Sequence, residues 1–450
     1  MNRSRPASWV KVMAGSAALA LALTACGTDS ESDPEGGDEN NATDEPTSET
    51  ESYTNDECAG GTGSADTFKV AGILPLTGNL AFLGPPEVAG VGLAVSDINA
   101  AGGVGDADAC HDILDSGDAT DASVANSSAQ GAISGNASVV VGAASSSVTL
   151  NIVDAITDAP IVQISPANTA VALSGYDDFY FRTAPPDGIQ GNALGNLISA
   201  DGNQRVGFIV FNDAYGTGLR DVVQETVEAN GGEVVYGGKG QGQEFPPAQT
   251  SFSAEVQGVT AANPDAIVIL AFDETKAIVP ELQASGWDMA KVYMTDGNTS
   301  NYSEDFEEGT LEGAKGTIPG NDPDDGFKDR LNGWFESAEN TDLNDTYSYA
   351  AESYDAVILA ALAAVKGGAT DPETIQANLA AVSGDTDGEE CSTYADCVEI
   401  LEGGDEIRYT GPSGIGPFDD ENDPSSAFVG IYQYEADNSY TLVTTEEGSK

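Results

Sequence analysis

The sequence predicts an α/β fold made of two doubly wound parallel-sheet lobes. From Phe68 onward, short apolar stretches alternate with longer helix-like stretches, which is the pattern of parallel strands covered by helices. The chain has 450 residues, and a single sheet holding all of the predicted strands would be unusually wide, so two sheets are favoured. Ligands of such sheets bind beyond the carboxyl ends of the strands, where loops and helix N-termini meet.

Each predicted element follows from its local pattern. Strands are predicted where apolar, often β-branched residues run together, and helices where apolar residues recur at helical spacing. The predicted strands are 68–73, 138–141, 160–164, 205–210, 233–236, 266–270 and 291–294, and the predicted helices are 87–100, 122–133, 188–199, 218–229, 251–261, 275–284 and 349–365. Near the C-terminus, 428–434 and 440–443 flank the turn Asp437-Asn438 and predict a hairpin.

The N-terminus has the pattern of a lipoprotein signal peptide. Basic residues precede an apolar run over 12–23, and Leu23-Thr24-Ala25-Cys26 then forms a lipobox. We therefore predict that residues 1–25 are a signal peptide and that Cys26 is lipidated, which anchors the chain to the cell membrane. Residues 26–57 are acidic and polar, so we expect this lipidated start of the chain to be a disordered tether.

The remaining four of the five cysteines are an even number in an exported chain, which favours disulfides. Three pairings are open. We favour Cys58 with Cys110, which would fix the start of the fold to an early strand, and Cys391 with Cys397, which share a short loop. A thiol or metal site is the alternative, although the chain has a single histidine, His111.

The charge of the chain excludes some partners. The formal net charge is −58, from 74 acidic and 16 basic residues, so we exclude nucleic acid as a partner. Charge of this size is also typical of proteins that work in concentrated salt, and salt adaptation is one hypothesis for it. The other hypothesis is that acidic residues accumulated in the sequence without a functional reason.

The common catalytic motifs are absent from the sequence. A single histidine gives little support to a Ser-His-Asp triad, and no GxSxG, HExxH, Walker or spaced metal-ligand pattern occurs. No base follows the serines at 145–147. We expect no enzyme activity, no metal and no cofactor.

Four segments occur in the same order as in a known family. They resemble the branched-chain amino-acid binding proteins of ABC importers, which have the type I periplasmic binding fold, and the resemblance runs from about residue 68 to the C-terminus. The segments are 72–78 (GILPLTG) with 97–104 (DINAAGGV), 141–147 (VGAASSS) with 161–169 (IVQISPANT), 212–218 (NDAYGTG) and 295–298 (TDGN), supported by 354–356 (YDA).

The resemblance implies two lobes joined by a three-strand hinge that closes on the ligand. By similarity, lobe 1 comprises 66–186 and 319–411, and lobe 2 comprises 187–318 and 412–450. The implied function is an extracytoplasmic solute receptor that delivers a small amino acid to an ABC permease and its ATPase subunits, and we expect a monomer. A separate ligand-binding sensor of the same fold is the alternative function, and an enzyme is the third.

The resemblance also implies the ligand-binding residues. Ser146, Thr169 and the backbone of Ser165 and Ala167 would receive the carboxylate of an α-amino acid. Asp296 would bind its ammonium group, and Tyr215 would cover it.

The ligand side chain would meet a pocket more apolar than is usual in the family. Leu83, Ala144 and Phe272 would surround it, which favours leucine, isoleucine or valine. Asp273, next to Phe272, would instead suit a polar or cationic group. Amides, urea and aromatic acids therefore stay open as ligands.

Overall fold

The structure is a computed structural model that describes residues 53–58, 67–105 and 107–449. These residues belong to one compact unit. The predicted signal peptide, the lipidation site Cys26 and the predicted tether up to residue 52 lie outside the described residues.

Five parallel strands form the first sheet, which we call the sheet of lobe 1. They are β1 (Phe68–Leu74), β2 (Ala109–Asp115), β3 (Val139–Gly142), β4 (Val162–Ser165) and β5 (Tyr180–Arg182). Their order is β2-β1-β3-β4-β5, and every residue of β1, β3 and β4 is buried. Complete burial is expected for central parallel strands, because helices cover both faces.

Seven strands form the second sheet, which belongs to lobe 2. They are β6 (Arg205–Val210), β7 (Glu233–Tyr236), β8 (Ala266–Leu270), β9 (Val292–Met294), β10 (Lys315–Pro319), β13 (Ser426–Tyr434) and β14 (Tyr440–Ser449). The order is β14-β13-β10-β9-β8-β6-β7, with β13 and β14 antiparallel to their neighbours. The predicted hairpin is therefore present, and it extends the second sheet. Between β10 and β13 in the chain, β11 (Glu389–Cys391) and β12 (Ile407–Tyr409) form a small parallel pair.

Helices pack on both sheets. Those of lobe 1 are α1 (Gly84–Ala100), α2 (Ala122–Ser134), α3 (Ser146–Thr157), α8 (Asp325–Glu339), α9 (Ala350–Gly367), α10 (Pro372–Ala380) and α11 (Tyr394–Gly403), and those of lobe 2 are α4 (Asp187–Ala200), α5 (Ala214–Ala229), α6 (Ser253–Ala261) and α7 (Thr275–Ala284). No helix in the described ranges is long and apolar enough to span a membrane.

The chain passes between the two lobes three times, at 183–186, 320–324 and 410–425. The predicted fold class, two α/β lobes with three connections, is thus confirmed. The sheet of lobe 2 differs from a purely parallel sheet because the C-terminal hairpin adds two antiparallel strands.

The core of lobe 1 is built around α1, α8 and α9. Gly92 of α1 permits this packing, since a Cβ atom there would lie 1.9 Å from the ring of Trp334 on α8. Trp334 is buried against the helix as a result, and its indole N–H donates to the carbonyl of Thr54. The helix α8 is thereby held against both α1 and the N-terminal segment.

Residues 53–58 pack against lobe 1, although the predicted tether included 53–57. The amide of His111 on β2 donates to the carbonyl of Asp56, and the amide of Cys58 donates back to the carbonyl of His111. The cause is the edge of β2, whose unpaired backbone groups accept one more short strand segment.

Both predicted disulfides are present. Cys58 and Cys110 are bonded with a Cα–Cα distance of 5.0 Å, and Cys391 and Cys397 with 5.3 Å. The first bond spans 52 residues of sequence and the second spans 6. In the described part of the chain, no cluster of side chains could hold a metal ion.

Candidate functional site

Eight of the nine predicted ligand-binding residues line one cavity between the lobes. It lies beyond the carboxyl ends of β1, β3 and β4 in lobe 1 and of β6, β8 and β9 in lobe 2. The eight are Leu83, Ala144, Ser146, Ala167, Thr169, Tyr215, Phe272 and Asp296. The cavity also includes five residues that the sequence prediction missed, namely Leu80, Ser145, Asn168, Gly297 and Tyr349.

The serine segment enters the cavity where β3 ends. Gly142 ends this strand at φ 121°, and a Cβ atom there would lie 2.1 Å from the carbonyl oxygen of Ile73, so the position requires glycine. Ser145 is the N-cap of α3, and its hydroxyl accepts from the amide of Val148 at 3.4 Å. Ser146 is the first residue of the helix. Its hydroxyl accepts from the amide of Ala170 at 3.3 Å, which links the β3 and β4 loops.

Ser165 is the predicted residue that does not line the cavity. Its hydroxyl donates to the carbonyl of Ala143 at 2.8 Å and accepts from the amide of Asn168 at 3.2 Å. The first bond ties the loop after β4 to Ala143 in the loop after β3, and the second lies within the loop after β4. Ser165 therefore shapes the loop that presents Ala167 and Thr169, from a position behind them.

Thr169 leads directly to a buried carboxyl group that the sequence did not single out. The carbonyl of Thr169 accepts from the amide of Asp187, the first residue of α4, at 2.7 Å. The pKa of Asp187 is raised to about 8, mainly by burial and also by the negative charge of Asp296, while the nearby Thr169 hydroxyl opposes the shift. Within the described part of the chain, neither carboxyl oxygen of Asp187 meets the distance and angle limits of a hydrogen bond, and neither does the hydroxyl of Thr169.

Asp296 is held by three donors. The hydroxyl of Tyr215 donates to Oδ1 at 2.8 Å, the amide of Gln190 donates to the same oxygen at 2.9 Å, and the hydroxyl of Tyr349 donates to Oδ2 at 2.6 Å. Burial raises the pKa of Asp296 even though these bonds favour its ionised form. The carboxyl group is thus fixed in position but poorly solvated.

Two aromatic rings form the wall of the cavity in lobe 2. The rings of Tyr215 and Phe272 are stacked, with 5.3 Å between centroids and 17° between planes. The hydroxyl of Tyr215 also accepts from the amide of Gly297 at 3.1 Å. The stack presents an apolar face beside the carboxyl group of Asp296.

Tyr349 is a residue of lobe 1 whose hydroxyl contacts Asp296 of lobe 2. It precedes α9 and has the left-handed backbone conformation, with φ at 63°. A non-glycine residue in this conformation is uncommon and occurs most often at functional sites. The predicted helix began at Tyr349, whereas the observed helix begins at Ala350, so the ring leaves the helix and reaches the cavity.

Among the described residues, those that line the cavity are acidic or neutral and include no Lys or Arg. Arg182 is near enough for its charge to lower the pKa of Asp187. Its guanidinium, however, is paired with Asp423 at 2.7 Å, with both side chains buried, and it also donates to the carbonyl of Ala170 at 2.9 Å. Arg182 thus supports the loop after β4 while its charge is neutralised by Asp423.

These groups are complementary to the two charged ends of an α-amino acid. The N-terminus of α3 with its hydroxyl group favours an anion, and the buried carboxyl of Asp296 favours a cation. The cavity volume is about 20 Å³, which is space for about one water molecule. Entry of an amino acid therefore requires the lobes or the lining side chains to move apart.

Comparison with known proteins identifies the family. A family model described as "Periplasmic binding protein" matches residues 67–393. The leucine-, isoleucine-, valine-, threonine-, and alanine-binding protein of Pseudomonas aeruginosa is 34% identical over 172 residues, which are 37% of this chain and 45% of that protein. The matches thus span about half the length of the curated relatives.

Solved structures share the fold over most of the chain. The leucine binding protein LivK of Thermotoga maritima has a TM-score of 0.68 at 20% identity, covering 84% of this chain and 98% of that one. An ABC transporter solute binding protein of R. palustris in complex with 4-hydroxybenzoate has a TM-score of 0.67 at 15% identity, covering 86% and 98%. At these identities the structures show the fold and no more.

The resemblance read from the sequence is thus confirmed over the greater part of the chain. The family consists of binding proteins and not of enzymes, in agreement with the expectation from the missing catalytic motifs. The chain belongs to the periplasmic binding protein family and has the type I fold of that family.

Proposed function

We propose that this protein is the solute receptor of an ABC importer and that it captures a small amino acid between its two lobes. The observation that carries the proposal is Asp296, a buried carboxyl group that faces hydroxyl groups and a helix N-terminus across one cavity. An α-amino acid has an ammonium and a carboxylate on one carbon atom. It would place the first at Asp296 and the second at Ser146 and Thr169.

The apolar part of the cavity supports a branched-chain ligand. Leu80, Leu83 and Ala144 belong to lobe 1, and the ring of Phe272 faces them from lobe 2. Burial of a leucine or isoleucine side chain here would contribute roughly 1.5 to 3 kcal/mol. The name of the Pseudomonas aeruginosa relative, which binds leucine, isoleucine, valine, threonine and alanine, supports the same ligand class.

The first test is a ligand screen with residues 27–450. Leucine, isoleucine, valine, threonine and alanine are compared with 4-hydroxybenzoate, urea and amides in a thermal-shift assay. A ligand that binds only the folded state stabilises it by about 4 kcal/mol at a thousand times its Kd, so it raises Tm. The proposal requires a rise with branched-chain amino acids. A rise with 4-hydroxybenzoate alone would keep the fold and remove the assigned role of Asp296.

The second test is substitution of Asp296. Asp296→Ala should weaken leucine binding by about 2 to 5 kcal/mol in calorimetry, because it leaves the ligand ammonium buried without its partner. Asp273→Asn is the matched control, since it removes one nearby negative charge from a side chain that is 57% exposed and does not line the cavity. Equal losses of affinity in both variants would mean that the effect comes from long-range electrostatics and not from direct contact between Asp296 and the ligand.

We also propose that the lobes close on the ligand by hinge motion at the three connections. The proposed lobes are 66–186 with 319–411, and 187–318 with 412–450. The small volume of the cavity supports this motion, because no amino acid enters about 20 Å³. Small-angle X-ray scattering should show a smaller radius of gyration when leucine is added, and an unchanged radius would contradict hinge closure.

The N-terminal part of the proposal concerns the anchor. Residues 1–25 would be removed, Cys26 would carry the lipid, and the acidic segment that follows would hold the receptor at the outer face of the membrane near its permease. Cys26→Ser should move the protein from the membrane fraction to the soluble fraction of its host. Retention of the variant in the membrane would contradict lipid anchoring.

A further inference from the structure

A second cavity lies in lobe 1, on the other side of the segment that joins β1 to α1. Its volume is about 470 Å³, which is within the range of small-molecule sites, and it is enclosed by α1, α8, β2 and residues 55–58. Ala81 and Pro85 line this cavity, whereas Leu80 and Leu83 of the same segment line the candidate amino-acid site. We call it the α1–α8 pocket.

The inner wall of the α1–α8 pocket is apolar and partly aromatic. Val88 of α1, Ile113 of β2, and Trp334 and Phe335 of α8 line it. Trp334 and Phe335 are buried in the fold, with 1% and 5% of their surface exposed. The pocket therefore suits a ligand with an apolar ring or a branched apolar body.

His111 gives the pocket a polar group that lacks a partner. The imidazole is 3% exposed, lines the pocket, and neither Nδ1 nor Nε2 makes a hydrogen bond to any residue that the structure describes. Its ring stands edge-on to Trp334, with 5.8 Å between centroids. Burial lowers the pKa of His111 against the opposing effect of Glu57, so the ring is neutral and offers one donor and one acceptor. Buried polar atoms without partners are rare in folded proteins, which points to a ligand group at this position.

The charged side chains that line the pocket all have the same sign. Glu57, Asp112 and Glu339 surround it, and no Lys or Arg is among the described residues that line it. Glu57 and Asp112 are close enough to His111 for their charges to raise its pKa. A cationic group at the entrance would be attracted to these carboxylates, and its apolar body would then contact the ring of Trp334.

We propose that the α1–α8 pocket is a second ligand site that binds small amines with an aromatic or branched apolar body. The ammonium group would lie between Glu57 and Asp112, the ring would pack on Leu76, which is 44% exposed, and on the accessible edges of Trp334 and Phe335, and His111 would form a hydrogen bond with the ligand. The site is separate from the proposed amino-acid site, because an amine without a carboxylate has no partner for the N-terminus of α3. It shares with that site only the segment between β1 and α1, through which the two ligands would influence each other.

Tryptophan fluorescence tests the proposal directly. The chain has three tryptophans, Trp9, Trp287 and Trp334, so residues 27–450 with Trp287→Phe retain Trp334 as the single reporter. The probe is 2-phenylethylamine, and its neutral and anionic counterparts are 2-phenylethanol and 3-phenylpropionate. We expect the amine to change the fluorescence of Trp334 in a saturable way, both with and without leucine. We expect 2-phenylethanol and 3-phenylpropionate to bind about tenfold more weakly than the amine.

Substitutions that each remove one charge show where the amine binds. Glu57→Gln and Asp112→Asn should each weaken amine binding several-fold, while Glu399→Gln, which removes an exposed charge on α11, should leave it unchanged. The proposal is overturned by a fluorescence response that does not saturate, by equal binding of 2-phenylethanol, or by equal effects of all three variants. Strict competition would also overturn it: if the apparent Kd of the amine rises without limit as leucine is added, the amine occupies the amino-acid site. If leucine does not bind to the protein, the proposed function is wrong, but the amine titration still tests whether the α1–α8 pocket binds amines.

Discussion

Asp187 predicts a pH dependence of stability that can be worked out from its environment. It is the first residue of α4, it is fully buried, and its pKa is raised to about 8 by burial. The same carboxyl group has a pKa of about 3.9 in an unfolded chain. A difference of about four pKa units corresponds to about 5 kcal/mol between the two protonation states.

The sign follows from which state binds the proton more tightly. Below about pH 4 both states are protonated, and Asp187 costs nothing. As the pH rises from about 4 to about 8, the unfolded chain releases this proton and the folded chain keeps it, so stability falls. Above about pH 8 both states are ionised, and the full cost of the buried charge remains.

Asp187→Asn should remove this cost, because an amide of nearly the same shape carries no charge. We expect the variant and the original protein to have similar free energies of unfolding at pH 4.5. At pH 8.5 the variant should be the more stable, by up to about 5 kcal/mol. Urea unfolding at several pH values between these limits measures the difference, and effects of all other groups cancel in it.

Asp329→Asn is the control, since Asp329 is exposed on α8. Its difference from the original protein should be small and independent of pH. A pH-independent difference for Asp187→Asn as well would refute the reasoning, because it would mean that Asp187 titrates alike in the folded and unfolded chain. A difference that shifts in favour of the original protein as the pH rises would refute it too.

Other predictions concern contacts around the site and across the fold, each measured as the free energy of urea unfolding. Tyr349→Phe removes a buried hydrogen bond to the carboxylate of Asp296 and should cost about 1.5 to 3 kcal/mol; no loss would mean that water replaces the bond. Arg182→Met removes the cation that is paired with the buried carboxylate of Asp423 and should cost about 3 to 5 kcal/mol, most of which the double variant with Asp423→Leu should restore. Loss of the disulfide that spans 52 residues should cost about 4 kcal/mol, and loss of the one that spans 6 should cost about 2, so equal costs would contradict a loop-entropy origin. Because 74 acidic residues repel one another, the free energy of unfolding should rise from low to molar salt, and a fall would argue against salt adaptation.

Prediction from the sequence succeeded where local pattern and burial agree. The strands Arg205–Val210 and Ala266–Leu270 were predicted with their observed bounds, because both are continuous apolar runs in the middle of a sheet. The edge strand β2 was missed, since its sequence ACHDILD contains polar residues that an edge position tolerates. The helix α8 was missed for a similar reason, because its polar face and its glycines resemble a loop.

The same division holds in the candidate site. Residues carried by a contiguous motif, such as Ser146, Thr169 and Asp296, were predicted through the family resemblance, and they line one cavity because each motif follows a strand. Tyr349 and Asp187 belong to no such motif: only tertiary structure brings Tyr349 into the lining of the cavity and Asp187 into contact with the backbone of Thr169. Tyr349 enters the cavity through one left-handed backbone conformation, which the apolar pattern of α9 conceals.

The unbalanced charge of the cavity is the strongest physical argument for the kind of ligand. Burial raises the pKa of both Asp187 and Asp296, the charge of Asp296 also raises that of Asp187, and the opposing charge of Arg182 is already paired with Asp423. Such an arrangement costs stability by itself. A ligand ammonium would pair with the buried carboxyl group and remove part of this cost in stability. The free energy recovered in this way would add to the affinity for a cationic ligand. A ligand with a carboxylate alone, such as 4-hydroxybenzoate, would instead bring a negative charge into the cavity of Asp296 without offering this buried carboxyl group a cation. The geometry of this site therefore favours an amino acid over an aromatic acid, even though structures that bind each class share its fold.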